Sequence, residues 1–124
     1  MRNPTAPVAS QVNVPLSALL GDWIVVEGAG IEAGGDIRID SQDIYIEGQS
    51  EKYSYDGAGR FRTDDGPLWV YWIDVGYRTV AMGDPQGTRV WIMDRQASGS
   101  PDRLRAAREI LQWYGYDLTR LEGA

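Results

Sequence analysis

Two segments, Gly21-Asp22-Trp23-Ile24-Val25-Val26 near the front of the chain and Val90-Trp91-Ile92-Met93-Asp94-Arg95 towards its end, decide the fold that the sequence predicts. Each is an apolar run of strand length, the first opened by a Gly-x-Trp and the second closed by an arginine. Short alternating runs fill the region between them, and one amphipathic helix follows the second segment. We therefore expect a mainly β domain framed by these two strands.

The alternating runs have the period of two that is typical of half-buried antiparallel strands. Residues 36–40 and 43–47 place isoleucines on one face and polar groups on the other. The segment 68–73 is apolar on both faces, so we expect both faces to be covered. The predicted strands are 22–27, 36–40, 43–47, 52–55, 60–63, 68–73, 77–82 and 88–94.

One helix is predicted over about 101–114. Ser100 is a good N-cap, Pro101 suits the first helical position, and Gly115 supplies the C-terminal stop. The apolar residues of this segment share one face, so we expect the helix to pack on the outside of a closed sheet.

The length of 124 residues predicts a single domain. We place that domain over 16–124 and an extended, Pro-containing tail over 1–15, with a short helical turn near 14–20 at the end of the sheet. The tail has no apolar run of the signal-peptide type, so we expect a mature N-terminus from which a leader has been removed.

The composition excludes several kinds of chemistry. The chain has no histidine and no cysteine, which rules out disulfides, thiolate metal sites and the usual catalytic bases. Its 18 acidic and 12 basic residues give a net charge of −6, which argues against nucleic acid as a partner. The spacing of the aspartates at 36, 40 and 43 does not match a calcium loop, so we expect no metal and no cofactor.

Three patterns with chemical associations are weak here. The segment 25–33 approaches a dinucleotide-binding fingerprint, but two glycines and a strand follow it where a helix is required. A Ser–Lys dyad needs a buried lysine, and Lys52, the single lysine, lies in a polar run. Five carboxylates that could form an acid/base pair lie mostly at strand ends, namely Glu27, Asp40, Asp43, Glu47 and Glu51.

The aromatic residues carry more information. Tyr53, Tyr55, Trp69, Tyr71 and Trp91 recur at same-face spacing on separate strands. Each of them could simply fill the core. As a set they would form an aromatic interior with hydroxyl and indole N–H groups, which suits a ligand pocket.

Three segments resemble the motifs of the lipocalin family. Residues 19–23 look like its first motif, 74–80 are similar to the second, and 91–95 resemble the third. The helix and residues 115–121 look like the end of bacterial lipocalins. The motif residues carried over, with structural roles, are Gly21, Trp23, Asp74, Tyr77 and Arg95.

This resemblance implies an eight-stranded antiparallel up-and-down β-barrel, closed at the motif end, with the C-terminal helix outside. It implies that Arg95 lies over Trp23 and bonds to nearby carbonyls. Trp91 and Met93 should then face inward, while residues 90 and 92 face outward beneath the helix. The strands are short, so we expect a shallow or partly open barrel, and an open edge would favour a homodimer.

The function that follows is non-catalytic binding or transport of a small hydrophobic or amphiphilic ligand. The expected ligand-binding residues are Tyr53, Tyr55, Trp69, Tyr71, Trp91 and Met93. An envelope scaffold or protein-interaction module with a packed interior is the first alternative, and an isomerase or hydrolase of a hydrophobic substrate is the second. We expect a bacterial envelope location, periplasmic or outer-membrane-associated, with attachment to the membrane surface through the removed leader.

Overall fold

A computed structural model describes residues 10, 11 and 13–123 of the chain. Its strands are β1 (Gly21–Ala29), β2 (Asp36–Ile39), β3 (Asp43–Ile46), β4 (Gln49–Tyr55), β5 (Arg60–Thr63), β6 (Gly66–Ile73), β7 (Thr79–Gly83), β8 (Val90–Asp94) and β9 (Glu122–Gly123). The helix α1 spans Pro101–Trp113, and two short 3-10 turns span Leu16–Ala18 and Leu118–Arg120. No helix of the described residues is long and apolar enough to cross a bilayer.

Each strand from β2 to β7 pairs antiparallel with the next one along the chain, and β1 pairs with both β8 and β2, which closes the barrel. The predicted eight-stranded up-and-down barrel is therefore confirmed. β4 begins three residues earlier than predicted, because Gln49–Glu51 pair with β3 despite their polarity. A side chain's polarity does not prevent its backbone from joining a ladder.

Besides its pairing with β8, β1 pairs with two further strands, β2 and β9, at different positions along its length. Residues 21–24 pair with β2, whereas Glu27 and Gly28 pair with β9 near the C-terminus. A bulge between Val25 and Glu27 marks the change. The far half of β1 thus has β9, and not β2, beside it.

The barrel interior is filled by a cluster of apolar side chains, here called the inner cluster. Its two tryptophans, Trp23 and Trp91, are both fully buried. The other large members are Leu19, Val25, Ile37, Ile39, Ile44, Ile46, Phe61, Leu68, Val70, Ile73, Val80, Met82 and Met93. The deep part of the barrel is therefore a packed core.

The helix covers the outside of β6, β7 and β8. Ala107 and Leu111 are fully buried there, against Val90 and Ile92 as expected. With Tyr71 and Tyr116 these residues form what we call the outer cluster. Two polar contacts also tie α1 to the barrel, since Arg108 pairs with the buried Glu27, and Arg103 bonds to Thr79 and Asp94.

The caps of α1 follow the predicted signals. The Ser100 side chain accepts a hydrogen bond from the backbone N–H of Arg103, and Pro101 begins the helix. The helix ends at Trp113, one residue before the predicted end, and Gly115 has a left-handed φ of 89°. Such a φ is readily available to glycine and explains the stop.

The predicted inward orientation of Trp69 and Tyr71 is wrong. In β6, Leu68 and Val70 face the interior, while Trp69 and Tyr71 pack with the outer cluster. A bulge between Val70 and Trp72 then shifts the alternation. Because both faces of this strand are apolar, the sequence pattern does not reveal which face is inside.

The start of the described chain differs from the predicted tail. The Gln11 backbone N–H donates to the carbonyl of Val70 at 2.8 Å. Val14 is only 1% exposed, and its backbone N–H donates to the carbonyl of Gly57. Residues 1–9 and 12 of the predicted tail lie outside the described residues. The stretch just before the first 3-10 turn is thus part of the closed end, held there by burial of Val14.

Arg95 joins the last strand to the first at this closed end. Its guanidinium carbon lies 3.6 Å from the centroid of the Trp23 ring. Its N–H groups donate to the carbonyls of Leu20 at 2.8 Å, Asp22 at 3.0 Å and Ala18 at 3.2 Å. This is the arrangement that the lipocalin resemblance implied for the two residues.

Gly21 makes this approach possible. Its φ is 104°, and a Cβ there would lie 3.0 Å from the Nη1 atom of Arg95. The Trp23 indole N–H donates to the carbonyl of Leu19 at 2.9 Å, which fixes the ring beneath the arginine. The glycine of the first motif is therefore required both by its backbone conformation and by space.

Replacing Arg95 by alanine should lower the free energy of unfolding by about 1–3 kcal/mol, because the stacking on Trp23 and three carbonyl contacts are lost. Urea denaturation measures the change. Arg105→Ala, at an exposed arginine of α1, is the matched control and should have little effect. An unchanged denaturation midpoint for Arg95→Ala would show that this contact does not hold the closed end.

Leu111→Asp should destabilise the whole domain by about 3 kcal/mol or more, because it places a carboxylate in the fully buried contact between α1 and the barrel. Gln112→Asp, the next residue on the exposed side of the same helix, controls for the loss of helix propensity. Thermal unfolding of both variants, followed by circular dichroism, makes the comparison. If the two variants have the same melting temperature, the packing of Leu111 does not stabilise the barrel.

Candidate functional site

Tyr53 and Tyr55 pack against the interior, and Tyr55 also contributes, with Trp69, to the lining of a groove across β4, β5 and β6. Their rings pack on Phe61 with centroid distances of 4.9 and 4.7 Å. The hydroxyl of Tyr53 donates to the carbonyl of Asp40 and that of Tyr55 to the carbonyl of Val14, both at 2.5 Å. Burial raises the pKa of Tyr55 to about 12. The hydroxyl groups thus stabilise loops at the closed end.

Trp91 and Met93 face inward and are completely buried. The indole N–H of Trp91 points at the sulfur of Met93, 3.4 Å away. On the other side of the sheet, the hydroxyl of Tyr71 bonds to that of Tyr116 at 2.7 Å. The six predicted ligand-binding residues therefore do not converge on one cavity, since four are inside the barrel and two are outside.

The second-motif residues shape the turn between β6 and β7. The buried carboxylate of Asp74 accepts backbone N–H bonds from Arg78 and Thr79, both at 2.6 Å, and from Gly76 at 3.1 Å. Tyr77 has a φ of 58°, and its side chain is 46% exposed. Asp74 is therefore a structural residue, while Tyr77 stands at the surface of the turn.

Three neighbouring recesses, which we call the mouth, lie between the turns at the other end of the barrel. The first, of about 210 Å³, has Ile44 and Ile46 among its walls. Its polar walls are Glu47, Gln49, Glu51, Asp65 and Arg89. Its surface is thus mostly polar, with the two buried isoleucines beneath it.

The other two recesses adjoin the first. One, of about 360 Å³, shares Glu47 with it and adds Val25 and Ile31 as apolar walls, with Glu32 and Asp36 as acidic ones. The other, of about 250 Å³, shares Asp65 and Arg89 with the first and extends along the β5–β6 and β7–β8 turns. The mouth is therefore broad and shallow, with mostly polar walls above the buried apolar side chains of the inner cluster.

The charges in the mouth are unbalanced. Arg89 is the single cation among the described residues that line the three recesses. The lining acids are Glu32, Asp36, Glu47, Glu51, Asp65 and Asp84. Walls of one sign raise the local concentration of ligands of the opposite sign.

The pKa of the Glu51 carboxyl group is raised by its surroundings. Burial raises its pKa, and a hydrogen bond to the Asp65 carboxyl and the negative charge of Asp65 raise it further. The positive charge of Arg89 and a hydrogen bond with Thr63 oppose this shift. Folding therefore favours the protonated form of the Glu51 carboxyl group.

Within residues 10, 11 and 13–123, no group of three or more acidic side chains is placed to hold a metal ion.

From the sequence, Glu51 was only one of several acids at strand ends, and Asp65 and Arg89 were not recognised as site residues. The sequence does contain a signal for Glu51 and Arg89. Glu51 has the same strand parity as Tyr53 and Tyr55, and Arg89 has the parity of Trp91. Charged residues in phase with inward-facing aromatics, two positions before them, indicate the polar rim of a barrel.

Comparisons with known proteins bear on the fold. Residues 43–124 match the model of a family described as a lipocalin-like domain. No curated protein matches the sequence significantly. Among solved structures, insecticyanin from the tobacco hornworm Manduca sexta is 12% identical, covering 94% of this chain and 83% of that one, with a TM-score of 0.64.

Two further structures are similar. The cockroach allergen Per a 4 is 11% identical over 98% of this chain and 95% of that one, with a TM-score of 0.63. An odorant-binding protein is 11% identical over 91% of this chain and 94% of that one, with a TM-score of 0.60. At these identities the likeness shows a common fold.

Glu51→Gln should stabilise the protein near about pH 7 but not in acid. A carboxyl group whose pKa is raised by folding binds more protons in the folded state than in the unfolded state. Stability therefore falls as the pH rises from the ordinary value of 4.5 through the raised value. The amide does not titrate, so the variant should melt higher above this range and equally below about pH 4.

Glu109→Gln, at an exposed position of α1, is the control and should show no such pH-dependent difference. Melting temperatures measured across this range for the three proteins make the test. A Glu51→Gln curve parallel to that of the unmodified protein would show that folding does not perturb Glu51.

Proposed function

Because the chain belongs to the lipocalin-like domain family, we propose that it binds a small hydrophobic or amphiphilic molecule, without catalysis, at the mouth of its barrel. The observation that supports this proposal best is the set of adjoining recesses beside Ile44, Ile46 and Ile31. Elsewhere in the interior, the packed side chains of the inner cluster occupy the space.

The size of the recesses limits the ligand. Each is at or below the lower end of the range of about 300–1,000 Å³ that is usual for ligand pockets. A long acyl chain would need the depth that Trp91 and Phe61 fill. The ligand is therefore compact, with an apolar part against the isoleucines.

The charge of the mouth limits the ligand further. Six lining carboxylates face one guanidinium, so a ligand with an anionic head would be repelled. A neutral or cationic head fits better, because an ammonium group could bond to the carboxylates of Glu51 and Asp65. A fatty acid, which has an anionic head group, would instead suit a barrel opening without these charges.

One of the proteins with a similar fold is an odorant-binding protein by name. It supports small-molecule binding as the function of the present chain. A transport role, the bacterial envelope location, attachment to a membrane surface and a homodimer stay predictions from the sequence.

The packed interior also favours the alternative of a scaffold whose surface carries the function. The inner cluster includes most of the large apolar residues of the barrel, and these are nearly inaccessible to solvent. The scaffold and binding proposals differ in one respect, which is whether the mouth takes up a small molecule.

The test uses the neutral fluorescent probe N-phenyl-naphthylamine and displaces it with three ligands of equal chain length. We expect micromolar binding of the probe, which corresponds to about −8 kcal/mol. Octylamine and octanol should displace it, and octanoate should do so at least about tenfold less effectively. We expect this order because the carboxylates of the mouth repel the anionic head group of octanoate.

Ile46→Trp should abolish probe binding, because the indole would fill the first recess. Ile110→Trp, which adds the same group at a half-buried position of α1, is the matched control. Amide chemical shifts of the unmodified protein should change around residues 44–51, 65 and 89 on titration. If the probe does not bind, or binds equally well to Ile46→Trp, the mouth is not the site and the scaffold alternative replaces this proposal.

A further inference from the structure

A groove of about 610 Å³ crosses β4, β5 and β6, mostly on the outer face of the sheet, although Tyr55 and Phe61 of the interior also contribute to its lining. Its volume lies within the range usual for small-molecule sites. The walls that matter here are Ser54, Asp56, Arg60, Arg62, Pro67 and Trp69. The groove has only Gly66 and Pro67, in β6, in common with the mouth.

The register of the strands puts two arginines and an indole on this face. Arg60 lies directly across from Trp69, and Arg62 lies across from both Ser54 and Pro67. Residues paired in this way have side chains on the same face of a sheet. The guanidinium groups, the hydroxyl and the apolar ring therefore border one concave surface.

The groove is basic in a chain whose net charge is −6. Asp56 is its one acidic wall, and the Oδ1 atom of that residue accepts the backbone N–H of Ala58 at 2.8 Å. Arg60 and Arg62 take part in none of the ion pairs found among residues 10, 11 and 13–123. Their charges are therefore available to an anion.

The Arg60 guanidinium is held in place. Its central carbon lies 4.1 Å from the centroid of the Trp69 ring, and its Nε–H donates to the hydroxyl of Ser10 at 2.9 Å. A side chain fixed before binding loses less entropy when a ligand arrives. The groove thus presents one positioned guanidinium group beside an aromatic surface and a second, exposed one.

We propose that this groove is a second binding site, which takes a small amphiphilic anion with a carboxylate, sulfate or phosphate group on an aromatic or other apolar body. Arginine binds such anionic groups through two parallel N–H bonds, which gives both charge and geometry. Pro67 and the edge of Trp69 supply the apolar wall. The acidic mouth and the basic groove then separate ligands by charge.

The experiment compares two probes with nearly the same ring system, anilinonaphthalene sulfonate and the uncharged N-phenyl-naphthylamine. The sulfonate should bind in the groove of the full chain and change the amide shifts of residues 54, 60–62 and 69. Its affinity should fall as the NaCl concentration rises from about 0.05 M to about 0.5 M, because salt screens exposed charges. The neutral probe should show little salt dependence.

Arg60→Gln and Arg62→Gln should each weaken sulfonate binding about tenfold and leave the neutral probe unaffected. Arg105→Gln, at an exposed arginine of α1, is the control for the change in net charge. All three substitutions lie at exposed positions, so melting temperatures close to that of the unmodified protein should accompany them.

The proposal is overturned if the sulfonate binds equally well to Arg62→Gln and Arg105→Gln, or if its shifts map to residues 44–51 and 89. Competition between the two probes would also overturn it, because that would indicate a single site. The groove does not depend on the function proposed for the mouth. If only the sulfonate binds, with the predicted variants and shifts, the groove stands and the mouth proposal fails.

Discussion

The stacking of Arg95 on Trp23 joins the last barrel strand to the first at the closed end. The arginine follows the last barrel strand, the tryptophan lies in the first, and the carbonyls that Arg95 bonds belong to the 3-10 turn and the residues just after it. One guanidinium group therefore satisfies three backbone acceptors, the carbonyls of Ala18, Leu20 and Asp22. The conformation of Gly21 and the burial of Trp23 both follow from making room for this contact.

A barrel closed in this way by large side chains has little interior left. Eight short strands enclose a volume that the tryptophans, Phe61 and the isoleucines fill, as small barrels often do. The space for a ligand is displaced to the rim, where charged residues replace aromatic ones. In the binding function that we propose, ligands would therefore be selected by charge more than by shape, since a shallow site offers few contacts.

Much of this architecture could be predicted from the sequence. The strands, the capped helix and the inward orientation of Trp91 and Met93 follow from periodicity, capping residues and the motif order. The orientation of Trp69 and Tyr71 could not be predicted, because both faces of β6 are apolar and the bulge depends on its neighbours in the sheet. The raised pKa of Glu51 depends in part on Asp65, a residue 14 positions further along the chain, and no local sequence pattern encodes this proximity.

The pairing of β1 with two strands near the C-terminus also determines when the fold can form during synthesis. The part of β1 beyond the bulge pairs with β8 and β9, whose residues leave the ribosome much later than β1 itself. Until then an apolar strand edge stays exposed beside a growing chain. Long-range pairing of this kind slows folding, because the loop must close before the contacts form. We therefore expect the nascent chain to expose this strand edge until β8 and β9 have been synthesised.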